Sequence, residues 1–212
     1  MKKLKAFISR KRIFLGFLIL APEFWWIIFK LPEVFRDLLK LPFYLNQKIF
    51  TVFTEERLVA VGLMRWANID DSGWLQIFSK VIYNRLDLII DEFFNFLSYI
   101  SPRIYFQAGD GSIFTPPGIE PLPILLFPLF LFGLINSIKK NKTKPFLFLF
   151  IFTLVAYSTG IKNFSFLLPI ALIFIWFSSQ GFLALNKKHK SLFIGLLIVY
   201  SIFLGGRMIW LS

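Results

Sequence analysis

The chain contains no cysteine and a single histidine. The first absence excludes a disulfide framework, a thiolate nucleophile and any cysteine-based metal site. His189 lies in the basic run Asn186-Lys-Lys-His-Lys190, and one histidine cannot build a His-rich metal cage. Charge is scarce too: 17% of the 212 residues are Asp, Glu, Lys or Arg, against about a quarter in a soluble domain. Hydrophobic residues fill 57% of the chain, 29 Phe among them, and mean hydropathy is +0.68. Such a composition excludes a soluble globular enzyme, a disordered tail and a small secreted module. It defines an integral membrane protein. Also missing are a Gly-rich phosphate loop, His-Glu-x-x-His and Gly-x-Ser-x-Gly, so no familiar soluble chemistry is marked.

What is there is a set of hydrophobic runs. They predict five membrane spans, at about Ile13–Phe29, Leu122–Ile138, Pro145–Thr159, Phe164–Leu185 and Leu192–Leu211. Roughly 20 apolar residues cross a bilayer, so the third of these is short for the task. Three flanking segments carry basic residues only: Lys2 to Arg12, Lys139 to Lys144, and Lys187 to Lys190. Together they hold 13 of the 24 basic residues and no acid. Segment 31–120 holds 8 basic and 11 acidic residues. The positive-inside rule therefore places the three basic segments in the cytoplasm, and 31–120 with the turn around Lys162 outside. Five alternating spans satisfy this. The net charge of +12 is then topology, with anionic lipid as its partner, and nucleic acid is excluded as a partner.

The basic N-terminus and Ile13–Ala21 resemble a signal peptide, but no small-x-small cleavage site follows and Trp25-Trp-Ile-Ile-Phe29 prolongs the run. An uncleaved anchor is expected. Pro22-Glu23 interrupts it. An intramembrane carboxylate is a functional candidate; the plainer expectation is a kink whose Glu faces another helix or snorkels outward.

The external segment is too long and too apolar for a structureless loop. Pro32–Leu41 reads as a short amphipathic helix stopped by Pro42. Thr54 is placed to cap a helix running to about Ala67, with Glu55 and Glu56 against its dipole. Apolar residues from Ile77 to Leu97 keep the period of a helix over about Leu75–Tyr99, with Asn84, Asp87, Asp91 and Asn95 on the opposite stripe. Gly109-Asp-Gly111 must be a tight turn, and Thr115-Pro-Pro-Gly118 is stiff and extended. After Ser101-Pro102 the chain is expected to leave the helix, and all these segments to lie in the membrane interface, apolar face down. Asp70 with Asp71, Asp87 with Asp91, and Asp110 are carboxylates that could act as general base or hold a divalent cation. Their ordinary roles are turn formation and a solvated helix face. Arg85 and Arg103 could grip a phosphate as fork donors, or pair with nearby acids.

The stretch Ile82-Tyr-Asn-Arg85 and then Phe94-Asn-Phe-Leu-Ser-Tyr-Ile-Ser-Pro-Arg-Ile-Tyr-Phe-Gln-Ala-Gly-Asp110 resembles the external loop of bacterial C-superfamily membrane glycosyltransferases. These are the relatives of protein mannosyltransferases and aminoarabinose transferases. Pro128-Leu-Phe-Leu-Phe-Gly-Leu134 is similar to the family's following Pro-(apolar)-Gly-Leu segment, and a looser likeness runs from about Phe50 to Leu185. The resemblance implies a polytopic protein that takes a sugar from a polyprenyl-phosphate donor outside the cytoplasmic membrane. It also implies that the family's catalytic base belongs to an N-terminal half, carried elsewhere or on a separate subunit, since no residue here matches it. The chain departs from the pattern where Gly111-Ser-Ile-Phe-Thr-Pro-Pro lacks basic residues, and where Lys162 stands in place of an Arg ahead of Pro169.

The expected architecture is all-α and polytopic: a first span within 1–30, an external helical region at 31–120, and a four-helix bundle at 121–212. The expected function is that of the C-terminal portion of such a transferase, not catalytic alone, with Arg85, Arg103 and Lys162 near the donor phosphate and Asp110 shaping the loop. No cofactor is indicated, and the expected partners are membrane lipids, the lipid-linked sugar and the catalytic half. The alternative is a non-catalytic membrane scaffold. A transporter ranks third, because five spans without repeated halves lack the inverted repeats common there.

Overall fold

The computed structural model describes residues 2–49, 55–67 and 85–211, and all regular structure among them is helical. Helix α1 (Lys2–Ile19) stops where Ala21 turns extended, and Pro22 opens α2 (Pro22–Phe29) at its first position, where a missing N–H costs nothing. The pair is bent by 68°. Short helices α3 (Leu31–Leu39) and α4 (Leu41–Ile49) follow, each with Pro in its first turn. Further along lie α5 (Glu55–Ala67) and α6 (Arg85–Ser98). The N-cap expected at Thr54, the Asp70-Asp71 turn and the first half of the helix expected from Leu75 lie outside the described residues.

Four helices, α7 (Leu126–Lys139), α8 (Thr143–Ser158), α9 (Phe164–Ala184) and α10 (Lys187–Leu211), complete the chain. Helices α9 and α10 are long and apolar enough to cross a membrane, and the bent α1–α2 pair makes a third candidate. The five straight spans expected from hydropathy are thus not reproduced by length. At 1.5 Å per residue, the 14 residues of α7 and 16 of α8 reach roughly 21 and 24 Å, short of a core about 30 Å thick. The reason for α7 is local. Pro121 and Pro123 have no N–H to give a helix, and the Leu122 amide between them donates to Tyr105 O at 2.8 Å. Helix α7 therefore begins four residues later than the apolar run.

Helix α9 is the hub. Within its apolar window 67% is buried inside the protein, against 11% for α10, which faces outward along most of its length. Helix α7 crosses it in backbone contact at two glycines. A Cβ on Gly133 would stand 1.9 Å from Phe177 O, and one on Gly181 would stand 2.0 Å from Leu129 O. Small residues permitting such an approach are how helices associate where lipid removes the hydrophobic drive. Around this crossing Phe130 stacks on Phe174 at 4.4 Å, and Tyr105 and Phe106 reach Phe174 at 4.5 and 6.0 Å. The Tyr99–Phe106 stretch is consequently a plug driven into the bundle, with Tyr105 fully buried and its hydroxyl donating to Tyr99 O at 2.6 Å. An interfacial loop was expected there. Five aromatic or aliphatic side chains in eight residues, Tyr99, Ile100, Ile104, Tyr105 and Phe106, join the core instead.

Candidate functional site

Two carboxylates converge on the start of α9. Gly109 and Gly111 take positive φ of 63° and 74°, the conformation glycine adopts without penalty, and this turns Asp110 back towards the protein. Asp110 Oδ1 accepts from the Ser112 amide at 3.0 Å and from Thr115 Oγ1 at 2.8 Å. Its Oδ2 accepts from Ser112 Oγ at 2.8 Å and from the amide of Phe164, the first residue of α9. Asp37, on α3, takes the neighbouring donors: Asn163 Nδ2 and Ser165 Oγ both reach its Oδ2 at 2.7 Å. Asn163 meanwhile caps α9 through the Ser165 amide at 3.3 Å. Negative groups at a helix N-terminus meet unpaired amides and the positive end of the dipole, so both carboxylates stabilise this end of α9.

Lys162 precedes the cap, and its Nζ lies 5.4 Å from the centre of the Tyr99 ring, a cation–π distance. Burial, with the charge of Glu92 second, pushes the Tyr99 hydroxyl up to about 12. Burial, with Asp110 second, pushes Tyr105 well above its ordinary value.

Glu23 follows the first of the two plain expectations, a kink with the carboxylate turned inward. It does not snorkel: it is 2% exposed, and among the described residues neither carboxylate oxygen has a hydrogen-bond partner. Its backbone amide donates to Pro121 O at 3.3 Å. The helix break at Ala21 and Pro22 is what turns this residue inward.

On the outer side of the Gly-Asp turn lies a cleft of about 280 Å³ lined by Trp26, Lys30, Gly111, Ser112, Ile113 and Thr115. Trp26 Nε1 donates to Ile113 O at 3.0 Å and fixes one wall. Ser112 and Thr115, the hydroxyls that hold Asp110, belong to the same lining, so Asp110 sets the cleft's shape from behind without standing in it. Lys30 is its cation.

Of the four residues expected at a donor site, Asp110 and Lys162 meet at the same end of α9. Arg103 is exposed and lines a different recess of about 160 Å³ with Phe106, Gln107 and Phe127. Arg85 begins α6, and its side chain lies outside the described residues, as does that of Asp87. Asp91 is exposed, as a solvated helix face requires. Sequence reasoning passed over Asp37, Asn163, Ser165 and Lys30. The only signal for them was local: Asn just before an apolar run, followed by Ser, is a helix-start pattern. It also missed Glu92 of α6, which pairs with Arg57 of α5 at 2.5 Å and accepts from the Tyr157 hydroxyl of α8. Among the described residues no three acidic or histidine side chains gather as a metal site requires. No family model, no curated protein and no solved structure matches the chain.

Proposed function

We propose that the chain is a membrane glycosyltransferase-like protein that forms one wall of the site where a sugar leaves a polyprenyl-phosphate donor outside the cytoplasmic membrane. The observation that carries this reading is the cleft beside Gly109-Asp110-Gly111, lined by Ser112 and Thr115, with Trp26 at its side and Lys30 within its lining. An aromatic wall suits a sugar ring, and a lysine suits the departing phosphate, whose developing charge a fixed cation stabilises. In this reading Asp110 positions the loop, Lys162 supports the same end of α9, Arg85 is expected near the donor from the start of α6, and Arg103, in its own recess, stands apart from the cleft. The five spans are α1–α2, α7, α8, α9 and α10, with flanking residues completing the two short ones. Support for that topology comes from α3, the Gly-Asp turn and the Lys162 turn meeting at one end of α9, and Lys142 approaching Gln180 near the other at 3.0 Å.

The test is binding of fluorescent undecaprenyl phosphate to the protein in nanodiscs. Lys30→Ala should weaken it at least tenfold, about 1.4 kcal/mol. Equal affinity would remove the cleft from the donor site. A non-catalytic scaffold is the second reading, and one observation favours it: Asp37 and Asp110 both direct their oxygens into the protein, so neither is poised over the cleft as a base. Absence of any polyprenyl phosphate binding, with a stable membrane partner recovered, would establish it.

A further inference from the structure

Helix α9 is buried on every side but one. Between Phe164 and Phe182 all its residues are buried except Leu168, Pro169, Leu172, Ile173 and Trp176. The last four keep the i, i+3, i+4, i+7 spacing of one helix face, and they floor an apolar groove of about 500 Å³. Helix α8 contributes Phe148 and Phe152, stacked at 6.3 Å, and α1 contributes Phe14. The charged member of the lining is Lys144, in the first turn of α8. The backbone fixes this end. Helix α7 closes in a Schellman turn: Asn141 takes a positive φ of 49°, its amide donates to Ile138 O at 2.9 Å, and the Lys142 amide donates to Ser137 O at 3.0 Å. The turn delivers Lys142 to the floor residue Trp176, with Nζ 5.5 Å from the ring centre and 3.0 Å from Gln180 Oε1.

Charge and size together identify the occupant. The three helices that line the groove, α1, α8 and α9, contain no acidic residue, and neither does the turn 139–144. None of these elements can offer a carboxylate to Lys144 or Lys142, so the groove is complementary to an amphiphile with a negative head. From Lys144 to Phe152 α8 rises by about 12 Å, close to the half-thickness of roughly 15 Å in one leaflet. A water-sized group fills about 30 Å³ and a methylene is similar, so the groove holds roughly 17 chain carbons. That matches one acyl chain and is too small to enclose a long polyprenyl chain. We propose that this groove is a binding site for one anionic glycerophospholipid, with an acyl chain along the α9 stripe and its phosphate at Lys144 and Lys142. The inference does not rest on the transferase reading. The cleft tested there adjoins the Phe164 end of α9, and this groove has its cations at the end where Lys142 meets Gln180.

Native mass spectrometry of the purified protein, after exposure to equimolar phosphatidylglycerol and phosphatidylcholine, tests it. The wild type should retain one phosphatidylglycerol in preference to phosphatidylcholine. Leu172→Trp fills the floor of the groove and should reduce retention by about tenfold or more. Val199→Trp, at an exposed position of α10 outside the lining, should leave it unchanged. Lys144 is exposed, so Lys144→Ala keeps the test available should Leu172→Trp not fold. It should lower the preference for phosphatidylglycerol roughly fivefold, and Lys188→Ala, in the other basic loop, should not. Equal retention by the Leu172→Trp and Val199→Trp proteins would overturn the proposal. So would a headgroup preference that survives Lys144→Ala, the absence of any such preference in the wild type, or replacement of the phospholipid by undecaprenyl phosphate added at the same concentration.

Discussion

Gly133→Ala tests the crossing on which the bundle rests. The new Cβ would stand 1.9 Å from Phe177 O, 2.8 Å from Phe177 C and 2.9 Å from Gly181 N, all backbone atoms that no rotamer change can move. Restoring an ordinary contact of 3.4 Å requires α7 and α9 to separate locally by roughly 1.5 Å. Overpacking of this kind costs about 1–3 kcal/mol. Separation also draws Phe130 away from Phe174, now at 4.4 Å, and from Phe177, at 6.0 Å, and each aromatic pair contributes about 0.5–1.5 kcal/mol. Against this, alanine is better than glycine in a helix by about 1 kcal/mol. The net expectation is a loss of about 2–3 kcal/mol. Unfolding in mixed micelles, followed by tryptophan fluorescence, measures it; Trp176 lies 5.2 Å from Phe177 and reports on the crossing. Gly195→Ala is the control, because a Cβ there meets nothing within 4 Å. The double variant Gly133→Ala/Gly181→Ala should cost less than the sum of the singles, since one separation relieves both clashes. Were Gly133→Ala to unfold within about 0.5 kcal/mol of the Gly195→Ala control, the backbone contact would not exist.

Asp110→Ala removes the acceptor of the Phe164 amide and of two hydroxyls, and should cost about 1–3 kcal/mol with faster hydrogen exchange at Phe164; unchanged exchange there would refute the cap. Tyr99, pushed up to about 12 by burial and then by Glu92, contributes stability that is full below the unfolded value near 10 and is lost as pH rises through about 12. Tyr99→Phe should flatten part of the stability loss across that window, and an unaltered alkaline titration would place Tyr99 outside the core. Glu92→Ala leaves the partly buried Tyr157 hydroxyl without this acceptor and removes the carboxylate beside Arg57, so α5, α6 and α8 should loosen, read as increased proteolysis between residues 55 and 98. Because the chain has no cysteine, Ser112→Cys and Lys188→Cys each create one label site. A membrane-impermeant maleimide added to intact cells should modify the first and not the second, and the reverse pattern would invert the proposed topology.

Much of the architecture was legible in one dimension. The short helix after Pro32, the break at Pro22 and the turn at Gly109-Asp-Gly111 all follow from proline and glycine, whose backbone limits act locally. The start of the helix expected at Leu122 was placed four residues early because hydropathy weighs side chains and ignores that Pro121 and Pro123 cannot donate to a helix. The plug at Tyr99–Phe106 was misread because aromatic residues suit an interface and a core equally. Only the position of Phe174 and Phe130 in three dimensions decides between them.

The candidate site was half visible. Asp110 was singled out, but its partner at Phe164 lies 54 residues away, and Asp37 reaches Ser165 across 128 residues. By itself the sequence determined a helical membrane protein, because the length of an apolar run acts residue by residue along the chain. Tertiary structure alone decided that Asp37 and Asp110 share one helix end, that Glu23 is buried with no hydrogen-bond partner among the described residues, and that Lys30 stands in the cleft. A carboxylate's partner is set by whatever distant donor packing brings within 3 Å, and no local pattern encodes that distance.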